Sequence, residues 1–262
     1  MKRITVMNSG GGVAKTSTAV NLAASIAHSG ERVLLVDLDA QGTASDWLGH
    51  DTSDRQSLLL DVLLGEISTS EAIKKTYLEK LDVVPSSFHL YQAERHLSDE
   101  VANDTLLKIA IDQVADSYDW VVLDTPPQIG ILSYNSMLAA PAGLIVPCEA
   151  SYKSLKAMKA LMKVIELMRS RRCPEINLLG VLASRVDMRT KSSIQSVEIL
   201  RDSFGDVVFD TVVTESVVMK DAPSHHQAVM DYSPKSKTAK QVKAFAQEVV
   251  ARTKQGELKH AA

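Results

Sequence analysis

The sequence predicts an α/β fold: a mostly parallel central sheet with helices on both faces, in a single domain. Three observations predict it. Short apolar, β-rich runs recur along the 262 residues and take turns with helical patterns, the rhythm of βαβ units. The runs themselves show no apolar–polar alternation, as expected of strands covered on both faces. No linker, tandem repeat or low-complexity tract interrupts them.

Each element follows in order. Ile4-Thr5-Val6-Met7 is a buried strand, and an apolar helix pattern runs from Ala19 through Leu22, Ala23 and Ile26. Arg32–Asp37 is a strand without alternation, Leu81–Pro85 a shorter one and Trp120–Asp124 a third clear example. Ala142–Pro147 and Leu178–Ala183 follow, and Val207–Phe209 with Thr211–Val213 reads as a late edge strand. Helical patterns fill the gaps at 90–116, 153–170, 191–202 and 236–253. The domain therefore spans 1–252, with a loosely held tail over 253–262.

Composition narrows the class. Hydrophobic residues make up 45% of the chain and charged residues 23%, which suits a globule with a sizeable core. The formal charge of −3 argues against a surface that binds polyanions everywhere, though not against a local basic patch. Cys148 and Cys173 lack metal-site spacing, and Cys148 lies in an apolar run as a buried thiol would. Charged residues interrupt every apolar run short of a membrane span, and no signal peptide is evident, so a cytoplasmic protein is expected.

The chemistry begins between the first strand and the first helix, at Gly10-Gly11-Gly12-Val13-Ala14-Lys15-Thr16-Ser17. Gly11 and Gly12 allow a tight turn and close backbone approach. Amides of Val13, Ala14 and Ser17 near a helix start can face phosphate oxygens. Lys15 brings charge to the β- and γ-phosphates, and Thr16 offers a hydroxyl to Mg²⁺. The fold is thus expected to be P-loop NTPase-like. Ala14 stands where the common motif has its last glycine, so its φ is expected to be negative. Two strand ends add carboxylates at the ligand edge of the sheet. Asp124 is the metal-side candidate. Asp39 is the candidate that positions the attacking water, with a share in the metal site, and Asp37 is read as structural.

With these segments in view, the chain resembles the ParA/MinD family of deviant phosphate-loop ATPases, most of all its ParA branch. Asp37-Leu38-Asp39-Ala40-Gln41-Gly42 resembles the family's first switch, and Tyr118-Asp119 through Asp124-Thr125-Pro126-Pro127 its second. Ala222-Pro223-Ser224-His225 and Tyr232-Pro234-Lys235-Ser236-Lys237 resemble its C-terminal signatures. The resemblance implies ATP and Mg²⁺ as cofactors, slow hydrolysis to ADP, and an ATP-dependent sandwich homodimer. It implies binding to non-specific double-stranded DNA of the nucleoid, with no membrane partner. It also implies a cargo adaptor or centromere-binding protein that stimulates hydrolysis, met near residues 44–63, and a base enclosed near Pro223.

The departures are as specific. Gly10 occupies the position of the family's signature lysine, which reaches across the dimer. Lys153, near a helix start at the ligand edge, is the expected substitute, because a cation there wants an anion opposite. A subgroup that positions carboxysomes shares both traits. The stripe Lys153, Lys156, Lys159 and Lys163, ending in Arg169, Arg171 and Arg172, could touch DNA phosphates. A second group is Lys220, Lys235, Lys237, Lys240 and Lys243, and a third is Arg185, Arg189 and Lys191. The favoured patch joins the C-terminal lysines with one other group. His225 and His226 lack companions for a metal site. Two alternatives stay open: a nucleotide-bound interaction module that no longer cycles, and an ATP-dependent synthase on the same fold.

Overall fold

A computed structural model of the chain describes residues 1–52, 58–97, 100, 103–141, 143–149 and 151–260. The strands are β1 (Lys2–Val6), β2 (Val33–Asp37), β3 (Lys74–Lys75), β4 (Leu81–Val84), β5 (Trp120–Asp124), β6 (Leu144–Glu149), β7 (Leu178–Val186) and β8 (Val208–Thr214). They form one sheet in the order β3-β4-β2-β5-β1-β6-β7-β8. Every pairing is parallel except β3 with β4. Every residue of β2, β4 and β5 is buried, which is why β2 and β5 run apolar without alternation up to their closing aspartates; β4 carries the buried Asp82.

The helices are α1 (Lys15–His28), α2 (Thr43–Trp47), α3 (Leu58–Leu63), α4 (Thr69–Ala72), α5 (Ala93–Leu97), α6 (Leu106–Asp112), α7 (Ile131–Ala139), α8 (Tyr152–Arg171), α9 (Lys191–Phe204), α10 (Val217–Asp221), α11 (Val229–Tyr232) and α12 (Lys237–His260). Ala19, Leu22, Ala23 and Ile26 of α1 pack on one face of the sheet with Phe245, Ala246 and Val249 of α12. On the other face, α3, α5, α6 and α7 cover β2, β4 and β5. Met158, Leu161, Ile165 and Met168 of α8 close a third cluster with β6 and β7.

Three expectations change, and one strand, β3, was not foreseen. Residues 90–116 are not one helix. A 3-10 turn over Phe88–Gln92 leads into α5, and α6 begins only at Leu106. The restart has a cause in the side chains: Asn135 accepts from the Leu107 amide at 3.0 Å and donates to the Asn103 carbonyl at 2.7 Å, holding Asn103-Asp104-Thr105 as a turn. The edge strand β3 is too short and too charged to stand out. The last helix continues to His260, through the segment read as a tail from Thr253. The third change is Ala14, which takes φ 70° and ψ 29° instead of a negative φ. A left-handed alanine costs about 1–2 kcal/mol. Its carbonyl accepts the Thr18 amide at 2.9 Å, so the residue ends the loop and starts α1 at once.

Candidate active site

The site lies at the carboxyl edge of the sheet, where β1, β2 and β5 end side by side. Asn8 fixes the start of the loop. Its amide donates to the Pro147 carbonyl at 2.7 Å, and its oxygen accepts from the Gly10 amide at 2.9 Å. Gly12 then turns with φ 74°, a conformation L side chains avoid. Ser184 and Arg185 hold the far wall of the loop, donating to the carbonyls of Val13 at 3.1 Å and Gly12 at 2.6 Å. A Cβ added at Gly10 would lie 2.9 Å from Val13 Cγ1, so a side chain there would require Val13 to shift.

Lys15 is buried, and its Nζ donates to the Gly10 carbonyl at 2.9 Å. Burial lowers its pKa, while the carboxylates of Asp124 and Asp39 pull it back up. Asp124 is fully buried at the end of β5, opposite Asp37 in the β2–β5 register. Burial, then the neighbouring Asp37, pushes its carboxyl well up, and the Thr16 hydroxyl and Lys15 counter that from the loop side. Neither oxygen of Asp124 completes a hydrogen bond among the described residues. A bare, buried carboxyl facing a loop hydroxyl is a costly arrangement without a ligand. It fits a hard divalent cation bound through oxygen.

Asp37 is different. It accepts from the Ser45 amide at 2.9 Å, the Ser45 hydroxyl at 2.7 Å and the Asp39 amide at 3.1 Å. Burial still raises its pKa to about 6. Its hydrogen bonds tie the first switch to β2, the structural role expected for it. Asp39 is only half-buried and lines the cavity, with one oxygen accepting from the Gln41 amide at 3.0 Å.

A cavity of about 480 Å³ runs from this loop along the ends of β7 and β8. Gly11, Gly12, Ala14, Lys15, Thr16, Ser17, Asp39 and Pro127 line its polar end. Leu182, Val213, Met219, Val242 and Phe245 line the other. Val13 is buried and not on the cavity wall, and its carbonyl accepts from Ser184. Pro223 is not on the wall, which reaches only Met219 and Lys220 of α10. A smaller cavity of about 360 Å³ adjoins both switches, with Asp39, Gln41, Tyr91 and Pro127 on its rim.

The other candidates are spread out. Lys153 sits on the first turn of α8, and the side chains of Tyr152, Lys153, Leu155 and Lys156 lie outside the described part of the structure, as do residues 53–57 of the proposed partner-facing region. Lys159 and Lys163 are exposed. Lys235, Lys237, Lys240 and Lys243 are exposed too, and the last three share the outer face of α12, opposite buried Ala239, Val242 and Ala246. Lys220 lies on the cavity wall and is paired with Glu215 at 2.8 Å. Arg189 is engaged by Asp187 through two bonds of 2.9 Å. His225 stacks on Tyr232 at 4.7 Å, and the described residues contain no cluster of three metal-ligating side chains. Arg185, grouped by the sequence reading with Arg189 and Lys191 as a basic surface cluster, lines the cavity from the penultimate position of β7, next to its closing Val186.

Comparison with known proteins agrees with this geometry. A family described as an AAA domain matches residues 1–178. The chain is similar to the sporulation initiation inhibitor protein Soj of Bacillus subtilis, with 35% identity over 250 residues covering 95% of this chain and 98% of Soj. It is similar to the chromosome partitioning protein ParA of Caulobacter vibrioides, 34% identical over 263 residues, covering 100% and 98%. Among solved structures, a protein called cobyrinic acid a,c-diamide synthase from Mycobacterium smegmatis, with bound ADP and magnesium, superposes with a TM-score of 0.85 at 29% identity, covering 98% of this chain and 96% of that one. An ATP complex of a McdA variant from Cyanothece shares the fold, with a TM-score of 0.86 at 21% identity and 96% of each chain covered. The family match over residues 1–178 and relatives at 35% and 34% identity along nearly the whole chain lead to one assignment: the chain belongs to the ParA/MinD family of deviant phosphate-loop ATPases.

Proposed function

We propose that the chain is a partition or positioning ATPase that binds Mg-ATP, pairs with a second copy, rides on DNA and is released when a cargo-bound partner triggers hydrolysis. The observation that carries this reading is Asp124: a buried carboxyl with unfilled oxygens, beside Thr16 and Lys15 at the polar end of a nucleotide-sized cavity. Backbone amides of the loop and Lys15 grip the phosphate chain. The Thr16 hydroxyl and Asp124 would hold Mg²⁺, which when bound neutralises charge on the β- and γ-phosphates. Asp39, at the cavity edge, orients water toward the terminal phosphate. A bound cation favours the carboxylate form of Asp124, against the burial that raises its pKa.

In the dimer, Lys153 takes the part of the lysine absent at position 10. Lys153→Ala then abolishes ATP-dependent dimerisation and leaves monomeric nucleotide affinity nearly unchanged. An unaltered dimer, read by light scattering, would sink that assignment. The exposed lysines at 235, 237, 240 and 243, with Arg189 and Lys220 at the margin, contact DNA phosphates, so affinity for duplex DNA falls steeply with added salt. The cargo is a replicon or a protein compartment, and relatives above 30% identity favour the replicon.

A second reading has one observation in its favour, the likeness to the protein called a diamide synthase. It makes the chain an ATP-dependent amide-forming enzyme. A turnover assay separates the two. Partition chemistry gives slow, Mg²⁺-dependent phosphate release that rises with duplex DNA and the partner. A synthase responds instead to a carboxylic acid and an amine donor. Protein that binds ATP yet neither dimerises nor binds DNA overturns the first reading.

A further inference from the structure

Besides Lys15 and Lys220, the cavity is lined by a third cation, Arg185. Arg185, near the end of β7, has φ 51°, a left-handed backbone that a long side chain adopts only against steric resistance. Its Nη1 donates to the Gly12 carbonyl at 2.6 Å, and its Nη2 faces Glu215 Oε1 at 3.6 Å. Lys220 holds Glu215 in turn at 2.8 Å. The N–H bonds of a guanidinium lie in its plane, so both partners engage its edge and leave its flat face without a hydrogen bond or ring contact among the described residues. The same cavity is lined by Lys15 of the loop and by the apolar side chains of Val213, Met219 and Phe245. A planar cation on a wall shared by a phosphate loop and apolar side chains suits an aromatic ring.

We propose that Arg185 is a binding residue for the nucleotide base, stacking its guanidinium face on the ring while its edge pins the Gly12 carbonyl. Base occupancy and loop shape are thereby coupled through one side chain. The proposal rests on the cavity being the nucleotide site, and it gives Arg185 a role other than replacing the lysine missing at position 10.

Calorimetric titration of the full chain with ADP, a non-hydrolysable ATP analogue and tripolyphosphate, each with Mg²⁺, tests it. Arg185→Gln removes the cation, and Arg185→Lys keeps a donor for Gly12 but has no flat face. Both variants are expected to weaken the two nucleotides by a similar factor, about threefold to thirtyfold, and Arg185→Lys, which keeps a donor for the Gly12 carbonyl, to leave tripolyphosphate alone. Parallel loss of tripolyphosphate in Arg185→Lys overturns the proposal, since the residue then only shapes the loop. Loss confined to the ATP analogue overturns it as well, since the residue is then a phosphate cation. Unchanged ADP affinity does the same. A second readout at saturation is the fluorescence of etheno-ADP, expected to be quenched by stacking in the wild type and released in Arg185→Gln; equal emission from both overturns the stack. Wild-type protein that binds none of these ligands removes the nucleotide site itself, and the proposal with it.

Discussion

Two aspartates flank β5 and meet opposite fates. Asp119, just before the strand, is half-exposed and saturated: Arg32 donates to it from its backbone amide at 2.8 Å, from Nε at 3.2 Å and from Nη2 at 2.8 Å. Those bonds draw its pKa down to about 2. Asp124, closing the same strand, is buried, bare and pushed up. One end of the sheet uses a carboxylate to finish itself, and the other leaves one without a partner among the described residues. Buried polar groups without partners are the exception in folded proteins, and such exceptions concentrate at functional sites.

The largest test of this contrast is paired substitution. Asp124→Asn is expected to cut Mg²⁺-dependent turnover by about a hundredfold or more while the chain stays folded, because an amide is neutral and nearly isosteric. Asp119→Asn should leave turnover unchanged and cost no more than about 1 kcal/mol in a urea melt, since an exposed pair contributes little. Equal turnover in the two variants would erase the distinction.

A pH scan of the nucleotide-free protein sharpens it. Asp37 has its folded pKa raised from 3.8 to about 6 by burial. The folded state then holds a proton the unfolded chain has lost, so stability declines as pH rises through that window, by roughly 2–3 kcal/mol for a shift of this size. Asp119 acts with the opposite sign: its lowered pKa contributes stability above 3.8 that is lost as pH falls toward about 2. The melting temperature should therefore pass through a maximum near pH 4, and Asp124→Asn should flatten the descending limb. A steady rise from pH 4 to pH 6 would contradict the assignment.

The smallest effect concerns Ala14. Ala14→Gly relieves a left-handed alanine but gives the unfolded chain more freedom, so a net gain of only about 0.5 kcal/mol is expected in a urea melt. A loss on substitution would mean that the methyl group packs usefully in the loop.

Much of the fold was legible in the sequence, for physical reasons. Strands β2 and β5 are buried on both faces and read as unbroken apolar runs; the glycines, Lys15 and Thr16 fall between a strand and a helix in an order few other sites need. What was hidden depends on partners distant in the chain. The break before Leu106 is enforced by Asn135, and β3 exists only because β4 offers it an edge. Ala14 was expected in the helical region because sterics prefer it there, yet the pull of the loop and α1 wins. Arg185 looked like one more surface cation; its contact with Gly12 spans 173 positions. Pro223, placed near the base by resemblance, stops short of the wall that Met219 and Lys220 form.

Trp47, at the end of α2, is buried and donates its indole N–H to the Gln227 carbonyl at 2.8 Å. The segment beside the first switch is thus riveted to the stretch leading into α12. The only other tryptophan is Trp120, on a core strand. With Trp120→Phe in the background, the emission of a single indole would report in real time whether ATP loads that rivet or shears it.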